Sequence, residues 1–474
     1  MERINKPAGA QDLSGAERPS DGEESAGNVR FVDAAALWLR VGLFSFGGPA
    51  GQVAMMYRMV VEERRWVSNG RFLHALNYCN LLPGPEAQQL ATYVGWLLHG
   101  TRGGLVAGTL FILPGFLVVL ALSALYAAFS QVPAVEALFW GLKPAVLAVV
   151  VMALMRIGSK ALVGAYAWAL AFGAFLALFV FGVPFPLVVL MAGILGWARH
   201  EIGANGTGTP ASSASSGSSG TQDEDEEPVN GREHAAPTVR GSLRVLATWL
   251  TLWLVPVFLL LAILGPENVY ARIAVFFSKM AVVSFGGAYA VLAYVAQAAV
   301  ADFGWLSAED MLNGLGLAES TPGPLILVLE YVGYLAAYRN AGDLPPALAG
   351  MLGATLAVWV TFTPCFLWIF LGAPFIERLR GVRALSAALS GITASVVGVI
   401  FNLALWFALH SLFGRVDALA FPGGSLPVPD MATADVPALV LAFAAFVALH
   451  RLWLGMIPVL AGCAAAGMLW RLVL

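Results

Sequence analysis

Phe44-Ser45-Phe46-Gly47-Gly48-Pro49 lies near the start of the chain, and Val283-Ser284-Phe285-Gly286-Gly287-Ala288 repeats it 239 residues later. The same offset carries Trp66 onto Trp305 and Pro83-Gly84-Pro85 onto Pro322-Gly323-Pro324. Tyr93-Val94-Gly95 meets Tyr331-Val332-Gly333 after one deletion. Farther on, Pro114 meets Pro364 and Gly141 meets Gly391, now 250 residues apart. Chance likeness between Leu- and Ala-rich helices does not keep glycines, prolines and tryptophans in order. The chain is an internal duplication.

The duplicated stretches are apolar almost end to end. Of 474 residues, 59% are hydrophobic and 12% charged, about half the charged share of an ordinary soluble protein. The bulk of the chain therefore belongs in a lipid bilayer. This composition excludes a soluble enzyme, and a net charge of −3 supplies no basic footprint for nucleic acid. The 51 glycines and 26 prolines are too many for plain spanning rods and point to broken helices, as transporters use. Cys79, Cys365 and Cys463 are far apart, with no CxxC pair and no histidine cluster. Neither a metal, a disulfide framework nor a cofactor is expected.

Two polar segments divide the chain. Residues 1–30 carry Glu23 and Glu24 where a signal peptide needs an apolar stretch, and read as a disordered cytoplasmic tail. Residues 203–242 hold a Ser- and Gly-rich run and then an acidic one, a low-complexity cytoplasmic linker unable to bury a core. The first membrane repeat is expected over 31–202 and a lone linking helix over 243–265. The second repeat follows over 266–474. Loop charge orients them. Arg58, Arg64, Arg65 and Arg71 crowd the loop at 58–71, whereas its counterpart at 300–310 has Asp302, Glu309 and Asp310 and no basic residue. Arg378, Arg380 and Arg383 follow the same logic in reverse. One loop of each pair reads cytoplasmic and its twin periplasmic. The expected fold is an all-α polytopic membrane protein with two homologous halves in inverted topology. The segments at 31–57 and 69–98 are expected to enter, turn at their Gly and Pro motifs and leave on the same side, as re-entrant hairpins; full crossings are the alternative, with the same inversion but four arginines outside. With the hairpins the N-terminus is cytoplasmic and the C-terminus periplasmic.

Hairpin tips of this kind free backbone N–H groups and expose helix N-termini, which favour anions. Gly47, Gly48, Gly84, Gly286, Gly287 and Gly323 are therefore candidate solute-binding positions, with Ser45, Ser284, Asn80 and, more loosely, Asn77, Gln88 and Gln89 as hydrogen-bonding partners. Three cations complete the expected cage. Lys143, one of four lysines in the chain, falls in the middle of a spanning segment, where a charge costs about 2.5–3.5 kcal/mol and usually marks a pathway. Arg40 and Lys279 are repeat equivalents, each seven residues before its Gly-Gly pair. Glu86 and Glu319 beside the tips would have to be protonated or paired to tolerate an anion, which makes them candidate coupling groups. His74 reads as a packing residue.

The ordered set FSFGGP, Arg64-Arg65-Trp66 and Pro83-Gly84-Pro85, with a diverged second copy, resembles the chromate ion transporter family, in its long-chain, two-domain form. Ala288 in place of Pro49 is a departure that leaves the second tip less rigid. The resemblance implies a multi-pass protein of the bacterial inner membrane that exports chromate and confers chromate resistance. Tetrahedral oxyanion follows from the residues; chromate follows from the family. Alternating access driven by the membrane potential, with proton antiport as an option, is the expected mechanism. Sulfate is the natural competitor, and a sulfate or molybdate importer coupled to protons or sodium is the other reading. No enzymatic activity is implied, the partners are the solute and the bilayer, and a homodimer is compatible with the pattern.

Overall fold

The computed structural model describes residues 29–46, 48–205, 238–285, 287–373 and 383–473. Gly47 and Gly286, most of the 1–30 tail and most of the acidic linker lie outside the described residues.

Among the described residues, seven helices build the first half. α1 (Phe31–Phe44) and α2 (Gly48–Tyr57) flank the first glycine motif, and α2 ends in a wider turn at Arg58–Glu63. α3 (Asn69–Cys79) begins where the Ser68 hydroxyl accepts the Arg71 N–H, and it ends before Pro83-Gly84-Pro85. α4 (Glu86–Phe129) is one helix by hydrogen bonding but breaks at His99 and Gly100. The left-handed Gly100, at φ +62°, makes a reversal that a residue with a β-carbon would resist. Gly95 then packs against Gly103 across that bend. α5 (Pro133–Ala161), α6 (Gly164–Phe179) and α7 (Phe185–Asn205) complete the half.

α8 (Val239–Leu264) stands alone, close to the 243–265 expected from sequence. The same order then recurs. α9 (Val269–Val283) and α10 (Ala288–Gln297) flank the second glycine motif, again with a wide turn at Ala298–Asp302. α11 (Ala308–Ser320) precedes Pro322-Gly323-Pro324. α12 (Val328–Arg339) and α13 (Pro346–Gly372) match the two arms of α4, with Gly333 on Gly353 as Gly95 is on Gly103. α14 (Arg383–Leu412), α15 (Val436–His450) and α16 (Met456–Val473) match α5, α6 and α7.

Five of the described helices are long and apolar enough to cross a membrane: α4, α5, α8, α13 and α14. The chain is a nearly all-α, polytopic membrane protein. Prolines inside these helices (Pro114, Pro144, Pro256, Pro364) are of the kind that neighbouring helices accommodate in lipid. By contrast α3, with 11 residues, is only about 16 Å long at 1.5 Å per residue, half a hydrocarbon core.

The halves interlock. α5 packs against α15 and α16, and α14 packs against α6 and α7, so each half lends its last two helices to the other. Two glycine crossings make this close approach possible. Gly141 on α5 meets the Cys463 carbonyl and Gly467 on α16, and its repeat equivalent Gly391 on α14 meets the Ala192 carbonyl and Gly196 on α7. Small residues at such crossings let helix backbones touch in lipid, where apolar burial gives no drive.

One element was not expected from sequence. β1 (Val416–Phe421) and β2 (Gly424–Pro429) form an antiparallel hairpin between α14 and α15, and Ser425 donates to the Val180 carbonyl at the end of α6. Alternation in Val-Asp-Ala-Leu-Ala-Phe and the Pro-Gly turn after it carry the local signal.

Candidate functional site

The four glycine motifs converge. α1 and α9 end at Ser45 and Ser284, both buried. Gly48 and Gly287 follow in left-handed conformations, φ +69° and +98°, and turn the chain into α2 and α10. Gly84 and Gly323, φ +121° and +97°, turn the Pro-Gly-Pro tips. Each tip then bonds to the other half: the Gly84 N–H donates to the Ser284 carbonyl at 3.0 Å and the Gly323 N–H to the Ser45 carbonyl at 3.1 Å. Gln52 on α2 donates to the Gly323 carbonyl at 2.6 Å, and Gln89 on α4 to the Pro83 carbonyl at 2.7 Å. Gly84 and Gly323 thus use their N–H groups to tie the halves together.

On one side of this knot lies a cavity of about 1160 Å³. The first residues of α2 (Pro49, Ala50, Gly51) and of α10 (Ala288, Tyr289) form part of its wall, so two helix N-termini bear on the space. Their partial positive charge and free N–H groups suit an anion. Arg156 and Lys160, one turn apart near the end of α5, line it as well, and both are exposed to it. Neither has an ion-pair partner among the described residues. Arg58, also in the lining, pairs with Glu63 at 3.3 Å. Asn80 and Thr393 add polar contacts, and Glu62 and Glu86 add carboxylates. Tyr289 donates to the buried Glu319 at 2.7 Å, placing that acid just behind the wall, within electrostatic reach of Arg156.

The residues singled out in the sequence divide into three groups. Ser45, Gly84, Ser284 and Gly323 form the knot, Gly48 and Gly287 turn the chain beside it, and Asn80, Glu86 and Gly287 line the cavity. Glu319 lies behind it, and Gln88 is buried, donating to Thr92 at 3.0 Å. Asn77 and His74 are exposed on α3. The expected cations are elsewhere. Arg40 and Lys279 are exposed on α1 and α9 and do not line the cavity. Lys143 is 13 residues before Arg156 on α5, about 20 Å away along the axis. It makes a 2.5 Å ion pair with Glu309.

Arg156 and Lys160 escaped the sequence reading because cations near a helix end usually snorkel to the interface. Their i, i+4 spacing on a spanning segment was the available signal. Glu330, fully buried on α12 with neither oxygen hydrogen-bonded among the described residues, was also missed.

The family described as "Chromate transporter" matches over residues 32–197 and 271–468. The chain is 32% identical over 373 residues to the chromate transport protein of Pseudomonas aeruginosa, covering 77% of this chain and 78% of that one. It is 26% identical over 381 residues to the probable chromate transport protein of Synechococcus elongatus, 79% and 84% of the two chains. The uncharacterized transporter YwrB of Bacillus subtilis is 29% identical over 153 residues, 32% of this chain and 77% of that one. No solved structure matches. With two matched stretches that together span most of its length, the chain belongs to the chromate transporter family.

Proposed function

We propose that the protein exports chromate across the bacterial inner membrane by alternating access and so confers chromate resistance. The cavity carries this reading: two helix N-termini and Arg156 and Lys160, unpaired among the described residues, suit a tetrahedral dianion, and the names of the relatives select chromate. The arginine offers a planar fork to an oxyanion, the lysine a point charge.

The halves are inserted upside down relative to one another, with the N-terminus cytoplasmic and the C-terminus periplasmic. Loop charge and the reciprocal Gly84–Ser284 and Gly323–Ser45 bonds support this. The short α3 and the reversal at Gly100 support re-entrant hairpins at the motifs. Arg58 and Lys160 in the cavity lining support a cavity that faces the cytoplasm, and with it an inward-open conformer. Loading therefore takes place from inside.

The drive is electrical. Each elementary charge gains about 2.3 kcal/mol per 100 mV, so a dianion leaving an inside-negative cell gains roughly 4.6 kcal/mol from doubling that charge term. Glu86 and Glu319 are the groups that would exchange a proton if antiport accompanies export.

The deciding experiment is uptake of radiolabelled chromate into everted vesicles under an inside-positive potential, with excess sulfate as competitor. Accumulation that follows the potential and resists sulfate is the expected result. Equal competition by sulfate would make the protein a general oxyanion carrier, and no accumulation by correctly inserted protein would remove the reading.

A further inference from the structure

Several first-half residues along the cavity wall have second-half counterparts, at the offset of the duplication, that are covered, whereas Ala288 and Tyr289, the counterparts of Pro49 and Ala50, line the same cavity. Leu73 on α3 is 44% exposed, whereas its counterpart Leu312 on α11 is 0% exposed. Ala54 on α2 is exposed, and its counterpart Ala293 on α10 is buried. The covering is done by helix packing. α10 lies on α14, and α11 lies on both α5 and α14, so close that a β-carbon on Gly316 would come within 3.2 Å of Val146. The mirrored pairs, α2 with α5 and α3 with α14, face each other across the open cavity instead.

The same asymmetry places Lys143. Its counterpart is Thr393, which lines the open cavity. Lys143 therefore occupies the corresponding position on the closed side, where its ammonium is held by Glu309 at the start of α11. Glu309 corresponds to Gly70, which has no side chain, so this ion pair has no equivalent on the open side. The start of α11 is otherwise firmly set. Asp310 takes both arms of Arg339 at 2.8 and 3.0 Å, and Tyr126 donates to it at 2.9 Å.

We propose that Lys143 and Glu309 form the latch of the closed side, and that Lys143 is the anion-binding cation of a second cavity that opens there when the latch parts. The proposal rests on the alternating-access reading above and assigns it a residue pair. A tetrahedral dianion on that side competes with the Glu309 carboxylate for one ammonium. Closing the latch therefore expels the anion, and an anion bound at Lys143 keeps the latch open. Arg156 and Lys160 serve the cavity seen here, and Lys143 serves its opposite.

The test uses thiols introduced at Ala54→Cys and Ala293→Cys in the full-length protein, whose own three cysteines are all buried. A membrane-impermeant maleimide is applied from each side, in intact cells and in everted vesicles, with membrane-inserted protein matched between variants. With the latch intact, position 54 labels from one side and position 293 labels poorly from the other. Glu309→Gln raises labelling at 293 at least threefold and lowers it at 54. The exchange Lys143→Glu with Glu309→Lys restores the original pattern, which neither single change does. Chromate added on the Glu309 side of Glu309→Gln protects position 293, and adding Lys143→Gln abolishes that protection. Unchanged labelling at 293 in Glu309→Gln, or an exchange no better than the single changes, overturns the latch. Protection that survives the loss of Lys143 overturns its role as anion ligand. The labelling readout needs no chromate, so a failed latch is distinguishable from a failed assignment of solute.

Discussion

Arg156 and Lys160 keep two positive charges exposed to a cavity within a largely apolar protein, with no carboxylate paired to either among the described residues. A hydrogen bond to a charged group contributes about 1.5–3 kcal/mol, so Arg156→Gln should weaken half-saturation for chromate roughly tenfold to a hundredfold. Everted-vesicle uptake over a concentration series measures this. Arg40→Gln should move the same parameter much less, because Arg40 does not line the cavity. The tip glycines make a second prediction. A β-carbon on Gly84 would lie 2.8 Å from both the Cys365 sulfur and the Gln89 amide, in addition to the left-handed strain. At Gly287 the same atom would meet only Glu86, at 3.6 Å. A left-handed non-glycine residue costs about 1–2 kcal/mol, so both Gly→Ala changes should lower thermal stability in detergent, and Gly84→Ala should lower it more. At this scale the turns at Gly48, Gly84, Gly287 and Gly323 were legible because the backbone conformation a tight turn needs is a local property. Lys143 was legible as a charge inside a spanning segment, but its partner lies 166 residues away and no local pattern encodes that pairing.

Among the helices, the sequence foretold segments better than neighbours. α8 was expected at 243–265 and occupies Val239–Leu264. The break at Pro83-Gly84-Pro85 is where the proline and glycine chemistry requires it. The exchange of α6 and α7 for α15 and α16 was not legible, since apolar helices of similar composition carry no address for their partners. Only the glycines at the crossings record it. Gly141→Ala and Gly391→Ala should each destabilise the protein by about 1–3 kcal/mol, the range for overpacking a close-fitted contact. The two effects should be similar, since the crossings are equivalent. Gly462→Ala on α16 has open space around it and should be nearly silent. Thermal unfolding of purified protein in detergent compares all three. The β1–β2 hairpin was overlooked because its alternation is brief and lies between strongly apolar segments.

For the molecule as a whole, interlocking predicts how it can be cut. Severing the chain between residues 205 and 238 leaves every described helix intact. The two pieces made together should assemble and transport, whereas either piece made alone should fail to accumulate, because α5 would lack α15 and α16 and α14 would lack α6 and α7. Coexpression with vesicle uptake checks this. The mismatch between Lys143 and Thr393 has a kinetic consequence as well. A carrier assembled from two identical half-chains in opposed orientations would present the same lining to both compartments and would saturate alike from either side. Here the two linings differ, so the carrier has a polarity of its own, separate from the voltage. With no voltage applied, detailed balance forbids net flow between equal concentrations. It still lets one face bind tightly and turn over slowly while the other binds weakly and turns over fast, the two ratios being equal. Duplication within a single chain is what lets the two faces drift apart.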